Sequence, residues 1–182
     1  SLASRVRGAH HYLGAMSMER TLVLDHDRVQ RKLERIVHQL HEENCEEKSI
    51  VVVGIAPRGL LLAKRLSEQL RAVSELKIDL VELKLDKEDP LTGPASLNAD
   101  LKDLKDRVVV LLDDVLMSGR TLMHAATHLV RVPLKKLTTV VLVDRRHRTY
   151  PIRADIVGLT LSTTVQEHIS VELGKKDAVF LS

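Results

Sequence analysis

The run VVVLLDDVLMSGRTL from Val108 to Leu122 sets two acids, Asp113 and Asp114, straight after an aliphatic stretch. A bend of small residues follows them, Ser118-Gly119-Arg120-Thr121, and then a helical pattern. Such a bend places unpaired backbone N–H groups and two hydroxyls at the start of a helix, where the dipole favours a phosphate. Val115, Leu116 and Met117 join the acids to the bend and so belong to the same candidate substrate site. Carboxylates beside a phosphate repel it, so the acids need a partner of another kind. A sugar diol, a divalent cation bridging to the ligand, or a cationic transition state would each serve.

A second loop, Gly54-Ile55-Ala56-Pro57-Arg58-Gly59, has the spacing of a phosphate loop but continues Leu60-Leu61 instead of Lys-Ser/Thr. The Walker type is therefore excluded. Arg58 is its cation, Ala56, Pro57 and Gly59 are candidate substrate contacts beside it, and Pro57 removes one backbone donor. Other chemistries have weaker support. His124 and His128 are spaced as two metal ligands on a helix, without a Glu beside them or a third ligand, and His38 and His41 fare no better. No Gly-x-Ser-x-Gly elbow occurs, and Cys45 is the lone cysteine. No metal site built by the protein alone is expected.

Strands and helices must alternate to position these loops. Val29, Leu33, Ile36, Val37 and Leu40 share one face of a helix from Asp27 to about Glu43, with Asp25 or Asp27 as its cap. Ile50 to Ile55 predicts a buried strand, Arg58 to Leu70 a helix, and Leu76 to Leu85 a half-buried strand. Val108 to Leu112, Gly119 to Val130 and Leu137 to Val143 predict strand, helix and strand. Asp86 to Asp106, with Pro90, Gly93 and Pro94, is expected to be partly a mobile surface loop. The class is α/β, an open and mainly parallel sheet flanked by helices, whose ligands collect at the carboxyl ends of the strands.

With 44% hydrophobic and 29% charged residues among 182, a packed core is expected in one domain spanning residues 18–182. Residues 1–17 carry Arg5, Arg7, His10 and His11 without a long apolar segment, and are expected to be a disordered extension or an expression remnant. Aromatic residues are 2% of the chain, which excludes nucleic-acid binding by rows of stacked bases. No segment approaches the roughly 20 apolar residues of a membrane span, so no membrane partner is expected. The single cysteine fits a reducing cytoplasm.

The acidic pair and the Ser-Gly-Arg-Thr bend resemble the 5-phosphoribosyl diphosphate signature of the type I phosphoribosyltransferases. That resemblance implies that Asp113 and Asp114 accept hydrogen bonds from the ribose hydroxyls. It also implies that Ser118, Gly119, Arg120 and Thr121 hold the 5-phosphate, and that Arg58 with its loop holds the leaving diphosphate together with magnesium. Met117 stands where purine-using relatives carry an aspartate, and a thioether cannot protonate a purine nitrogen, so a pyrimidine is expected. Gly54-Ile55, Arg58-Gly59 and Leu62-Ala63-Lys64-Arg65-Leu66, with Val143-Asp144-Arg145-Arg146-His147-Arg148 and Pro151-Ile152-Arg153-Ala154-Asp155, resemble the pyrimidine-operon attenuator and uracil phosphoribosyltransferase branch.

Resemblance to that branch implies transfer to uracil, a homodimer or homotetramer, and a small hood over the base built from Asp144 and the region Leu161 to Gln166, with Thr164 and Val165 among the substrate contacts. It also implies an alternative or additional role as a nucleotide-responsive regulator that binds RNA. Arg28, Arg31, Arg35 and His38 on one helical face, and Arg146, His147, Arg148 and Arg153 in the later loop, are the candidate RNA contacts. A degenerate member that binds ligand without turnover is the third alternative. Two departures stand out: Arg146 replaces a glycine, and Leu85-Asp86-Lys87-Glu88-Asp89-Pro90 replaces the family's Tyr-Arg-Asp-Asp lid segment, with Lys84 or Lys87 as substitutes for its arginine.

Overall fold

The computed structural model describes residues 19–86, 93, 95–164 and 166–182. The expected extension at residues 1–17, Lys87 to Pro90 of the lid segment, and Val165 lie outside them. The first described elements are a short strand β1 (Thr21–Leu24) and helix α1 (His26–Glu43), whose N-cap Asp25 accepts from the Arg28 N–H at 2.9 Å. Then come β2 (Ser49–Ile55), α2 (Arg58–Val73), β3 (Lys77–Lys84) and a two-residue strand β4 (Ser96–Leu97). A single 3-10 turn (Leu101–Leu104) leads into β5 (Val108–Leu116), α3 (Arg120–Leu129), β6 (Lys136–Asp144) and β7 (Ile156–Thr160). β8 (Ile169–Glu172) and β9 (Ala178–Leu181) complete the described elements.

The main sheet has the order β4-β3-β2-β5-β6-β7, parallel throughout except for β4 at one edge. Strands buried on both faces need no alternation, and β2 and β5 are accordingly near-continuous runs of Ile, Val and Leu. Leu33, Leu40, Leu62 and Leu66 of α1 and α2 pack with Ile50, Val52 and Val110 on one face. Leu122, Ala125 and Leu129 of α3, with Leu104, pack with Val51, Val53 and Leu111 on the other. Among the described residues no helix is long and apolar enough to cross a membrane.

Of the segment Asp86 to Asp106, expected to be only partly a mobile loop, residues 95–104 are built into the fold. Ser96 and Leu97 pair with Lys84 and Leu83, and Leu104 is fully buried, so residues 95–104 cover the sheet edge and the α3 side of the core. Proline and glycine mark where a chain turns, but they say nothing of whether the next apolar residue finds a core.

β1, β9 and β8 form a separate antiparallel sheet of three strands, in which β8 and β9 are a local hairpin and β1 pairs with β9 across more than a hundred positions. Its inner residues Ile169, Val171 and Val179 belong to the same core as α1 and α2. The hood expected from Asp144 and the region Leu161 to Gln166 is instead this small sheet, since none of those described residues lines the cleft whereas β8 does. It sits over the carboxyl end of β5, and its β8 strand forms one wall of the cleft described next.

Candidate functional site

β2 ends at Ile55 and its chain turns into α2, whereas β5 runs on to Leu116. Pairing of β2 with β5 stops at Gly54 and Leu112, so beyond that point β5 is paired only with β6, through Asp113 with Val141, Val115 with Val143 and Leu116 with Asp144. The acids are therefore the last part of the strand, not a loop after it as the sequence suggests. α2 connects β2 outward to β3, while α3 connects β5 outward to β6 on the other side. The strand order thus reverses between β2 and β5, which is where an open parallel sheet leaves a crevice.

The start of α2 closes the vacated flank of β5. A Cβ on Gly59 would lie 2.6 Å from the Leu112 carbonyl oxygen and 3.2 Å from Asp113 Oδ1, so only glycine lets the helix start approach the acids this closely. No side chain caps that helix, and its first residue, Arg58, is exposed toward the cleft. The Ala56–Pro57 peptide before it is cis, and the Ala56 N–H is spent on the Leu83 carbonyl.

Asp113 and Asp114 are almost buried, 4% and 8% exposed. Asp113 Oδ1 accepts from the Asp114 N–H and Asp114 Oδ1 from the Val115 N–H, both at 2.9 Å, which fixes both carboxylates against their own strand. At the bend, Gly119 has φ +87°, and a Cβ there would strike Ile152 Cγ2 at 2.7 Å. Left-handed backbone and the close side chain both require glycine. Ser118 Oγ accepts from the Arg120 N–H at 3.2 Å, and α3 begins at that residue.

These pieces line one cleft of about 530 Å³. Arg58 borders it on one side, and Asp113 to Leu116 form its floor. Met117, Ser118, Gly119 and Thr121 close the α3 end. Opposite them stand His168 to Val171 of the hood, which sequence reasoning missed. The alternation His168-Ile169-Ser170-Val171 is legible as a strand with Ile169 and Val171 inward, but nothing local shows that this strand faces β5. His168 is held at the sheet's end by reciprocal backbone bonds with Ser182.

The other candidates are placed elsewhere. Ala56, Pro57, Gly59, Arg120, Asp144 and Thr164 are not in the cleft wall. Thr164 serves a local turn, its N–H donating to Glu167 Oε1 at 2.8 Å and its carbonyl accepting from Arg145. Thr164's backbone N–H and then its side chain hold the Glu167 carboxyl below the ordinary range. Asp144 is bonded to Arg146 and Arg148 of its own loop. Lys84 is paired with Glu82 at 3.4 Å.

Of the basic candidates, Arg28, Arg31 and Arg35 lie with Lys32 along a groove of about 550 Å³, whose apolar wall includes Leu24, Leu159 and Leu161. Arg35 also donates to the carbonyls of Val157 and Gly158 on the edge strand β7. His38 is exposed beyond the groove's lining, and Arg146, His147 and Arg153 are exposed in the loop between β6 and β7. Arg146 has φ +71°, which accounts physically for a glycine at that place in the resembling branch.

The donor set also bears on magnesium. Asp113 and Asp114 offer hard carboxylate oxygens, and among the described residues no group of three or more His, Cys, Asp or Glu could hold a metal ion. Such a site fits an ion that draws the rest of its shell from substrate phosphates, ribose hydroxyls and water.

Residues 20–175 match the family model described as the phosphoribosyl transferase domain. This chain belongs to the type I phosphoribosyltransferases. Relatives include the bifunctional protein PyrR of Bacillus pumilus (strain SAFR-032), 37% identical over 171 residues that cover 87% of this chain and 93% of the relative. The bifunctional protein PyrR of Bacillus subtilis (strain 168) is 36% identical over 168 residues, with the same coverage. Among solved structures, a hypoxanthine phosphoribosyltransferase from Staphylococcus aureus superposes with a TM-score of 0.66 at 20% identity, covering 79% of each chain. The enzyme from Trypanosoma cruzi gives 0.65 at 15% identity over 78% of this chain and 81% of its own. At such identities the likeness concerns the phosphoribosyltransferase fold alone.

Proposed function

We propose that this phosphoribosyltransferase transfers the phosphoribosyl group of 5-phosphoribosyl diphosphate to uracil, giving uridine monophosphate and diphosphate. The observation that carries this reading is the single cleft that joins a helix-start bend, two buried acids and Arg58 beneath a hood. Ser118 to Thr121 receive the 5-phosphate at the start of α3. Asp113 and Asp114, almost buried, accept from the ribose hydroxyls, and their carboxylates favour the positive charge that develops at the anomeric carbon. The bond from that carbon to the diphosphate oxygen breaks with its electron pair leaving on oxygen. The new bond forms to the ring nitrogen of the base, whose N–H bond breaks with its proton passing to water. Arg58 and the first turn of α2 take the departing charge. Magnesium, when bound with the substrate by the acids' side of the cleft, would supply further neutralisation of that charge.

Met117 supports a pyrimidine, since it has no proton to offer a purine nitrogen, and His168 and Ser170 are the polar hood residues lining the same cleft. The test is a screen of uracil, cytosine, hypoxanthine, guanine and orotate with 5-phosphoribosyl diphosphate and magnesium, reading released diphosphate. Uracil is expected to be the preferred acceptor. Preference for a purine would refute the substrate assignment, and tight binding of 5-phosphoribosyl diphosphate without product from any base would refute the enzyme.

The close approach at Gly59 yields a second expectation. Gly59→Ala must push the start of α2 away from β5, because the added methyl would meet backbone atoms and not a flexible side chain. Affinity for magnesium diphosphate, measured by titration calorimetry, is expected to fall by roughly tenfold or more, as for other misplacements of positioning groups. Unchanged affinity would show that the helix start does not hold the leaving group.

A regulatory role alongside catalysis is favoured by the basic groove on α1 and by the exposed Arg146, His147 and Arg153. RNA bound there would lose affinity steeply with salt and would respond to nucleotide in the cleft. Equal affinity for a pyrimidine-operon leader and for random RNA would remove the specific claim. A cytoplasmic homodimer or homotetramer completes the reading, and sedimentation of the purified chain as a monomer at micromolar concentration would count against that assembly.

A further inference from the structure

We infer that Asp144 and Arg148 are positioning residues for the phosphate bend, acting through the backbone of residues 116–119 without touching ligand. Neither lines the cleft, and their side chains are only 14% and 21% exposed. Arg148 Nη2 donates to Asp144 Oδ1 at 2.6 Å, Nε donates to the Ile152 carbonyl at 2.9 Å, and Nη1 reaches the Met117 carbonyl at 3.4 Å. One planar guanidinium thus ties the end of β6, the turn at Ile152 and the residue before the bend. A guanidinium can do this because its five N–H groups diverge in a fixed plane; an ammonium cannot.

The segment so held is laid against the bend at every step. The Arg145 N–H donates to the Leu116 carbonyl at 3.0 Å, and the N–H groups of Thr149 and Tyr150 both donate to the Ser118 carbonyl, at 2.9 and 3.0 Å. Ile152 fills the space above Gly119 where a Cβ would otherwise fit. Asp144 Oδ1 also accepts from the Arg146 N–H at 2.9 Å, which supports that residue's left-handed backbone. Amides that receive a phosphate must already point at it before it arrives, or their ordering is subtracted from the affinity. The same basic run that reads as an RNA surface therefore has two parts. Arg146 and His147 face solvent, while Arg148 is turned inward to brace the bend.

This inference rests on the reading of Ser118 to Thr121 as the 5-phosphate site. It is tested by titrating the full chain with ribose 5-phosphate, and separately with magnesium diphosphate, for the wild type, Arg148→Met, Arg148→Lys and Asp144→Asn. For Arg148→Met, affinity for ribose 5-phosphate is expected to fall by roughly tenfold or more, with magnesium diphosphate held to within about twofold because its site at Arg58 is not braced by this pair. Arg148→Lys is expected to recover little of the loss, since charge alone does not replace the fork. Asp144→Asn, nearly isosteric, should lose a few fold in the same ligand and remains informative if Arg148→Met fails to fold. Wild-type affinity for ribose 5-phosphate in folded Arg148→Met or in Asp144→Asn would overturn the inference, as would full recovery in Arg148→Lys. Failure of the wild type itself to bind ribose 5-phosphate would instead overturn the reading of the bend, and this inference with it.

Discussion

Asp113→Asn/Asp114→Asn is expected to fold normally and to lose at least about 10³-fold in uridine monophosphate formation, on the scale of removing preorganised electrostatic groups from an active site. Folding should survive because each Asn keeps the side-chain oxygen that accepts the next residue's N–H, and burying an amide costs less than burying a carboxylate. Catalysis should not survive, since the reaction needs the two negative charges and a neutral amide leaves the cationic anomeric centre without them. The measurement is product formation at saturating 5-phosphoribosyl diphosphate, with circular dichroism as the folding control. A well-folded double variant that turns over at the wild-type rate would show that the acids are structural, and the proposed mechanism would fail with them.

Asp177→Asn is expected to destabilise the chain by about 3 kcal/mol, the lower part of the range for breaking a buried ion pair, because Arg65 keeps partial contact with solvent. The Asp177 side chain is fully buried between the hood and the two helices beneath it. Its Oδ2 accepts from Arg65 of α2 and from Gln30 of α1, the latter at 2.6 Å, and its Oδ1 accepts from the Gly174 N–H at 3.0 Å. Its own N–H donates to His26 Nδ1 at 2.9 Å. This is where the β8–β9 hairpin is fastened to the body, so the same change should loosen the strand that presents His168 and Ser170 and weaken base affinity more than that for diphosphate.

The pH dependence of that fastening has a definite sign. Burial raises the Asp177 carboxyl's pKa, but the Arg65 guanidinium, the Gly174 N–H and Gln30 outweigh it and hold the group below its ordinary value. A depressed folded pKa contributes stability that is present above the unfolded value of about 3.9 and is lost as pH falls through the folded one. Urea midpoints measured between neutral pH and pH 3 should therefore drop more for the wild type than for Asp177→Asn. Parallel curves would show that the pair contributes nothing to acid sensitivity.

The active stretch was legible in the linear chain because its parts are contiguous. Strand, acids, bend and helix follow one another within Val108 to Leu122, and the helix start that serves a phosphate is a local property of backbone and glycine. The buried runs at Ile50 to Ile55 and Leu137 to Val143 are legible for the same reason, since burial on both faces leaves its mark on every residue. The Arg58 loop is likewise visible as a glycine-bounded turn carrying one cation, and the α1 stripe as charge at helical spacing.

What the tertiary structure alone decided is which of these pieces meet. Gly59 against Leu112, the hood's His168 and Ser170 in one cleft with Asp113, and Asp177 between α1, α2 and the hairpin depend on contacts across as many as 151 positions, and no local preference encodes them. The basic run after β6 makes the point at single-residue scale: Arg146 and Arg148 look alike in sequence, yet one is exposed and the other is drawn inward by an Asp144 carboxylate and two carbonyls. Charge type is written into a side chain, whereas its direction is set by the acceptors that the folded chain brings within reach.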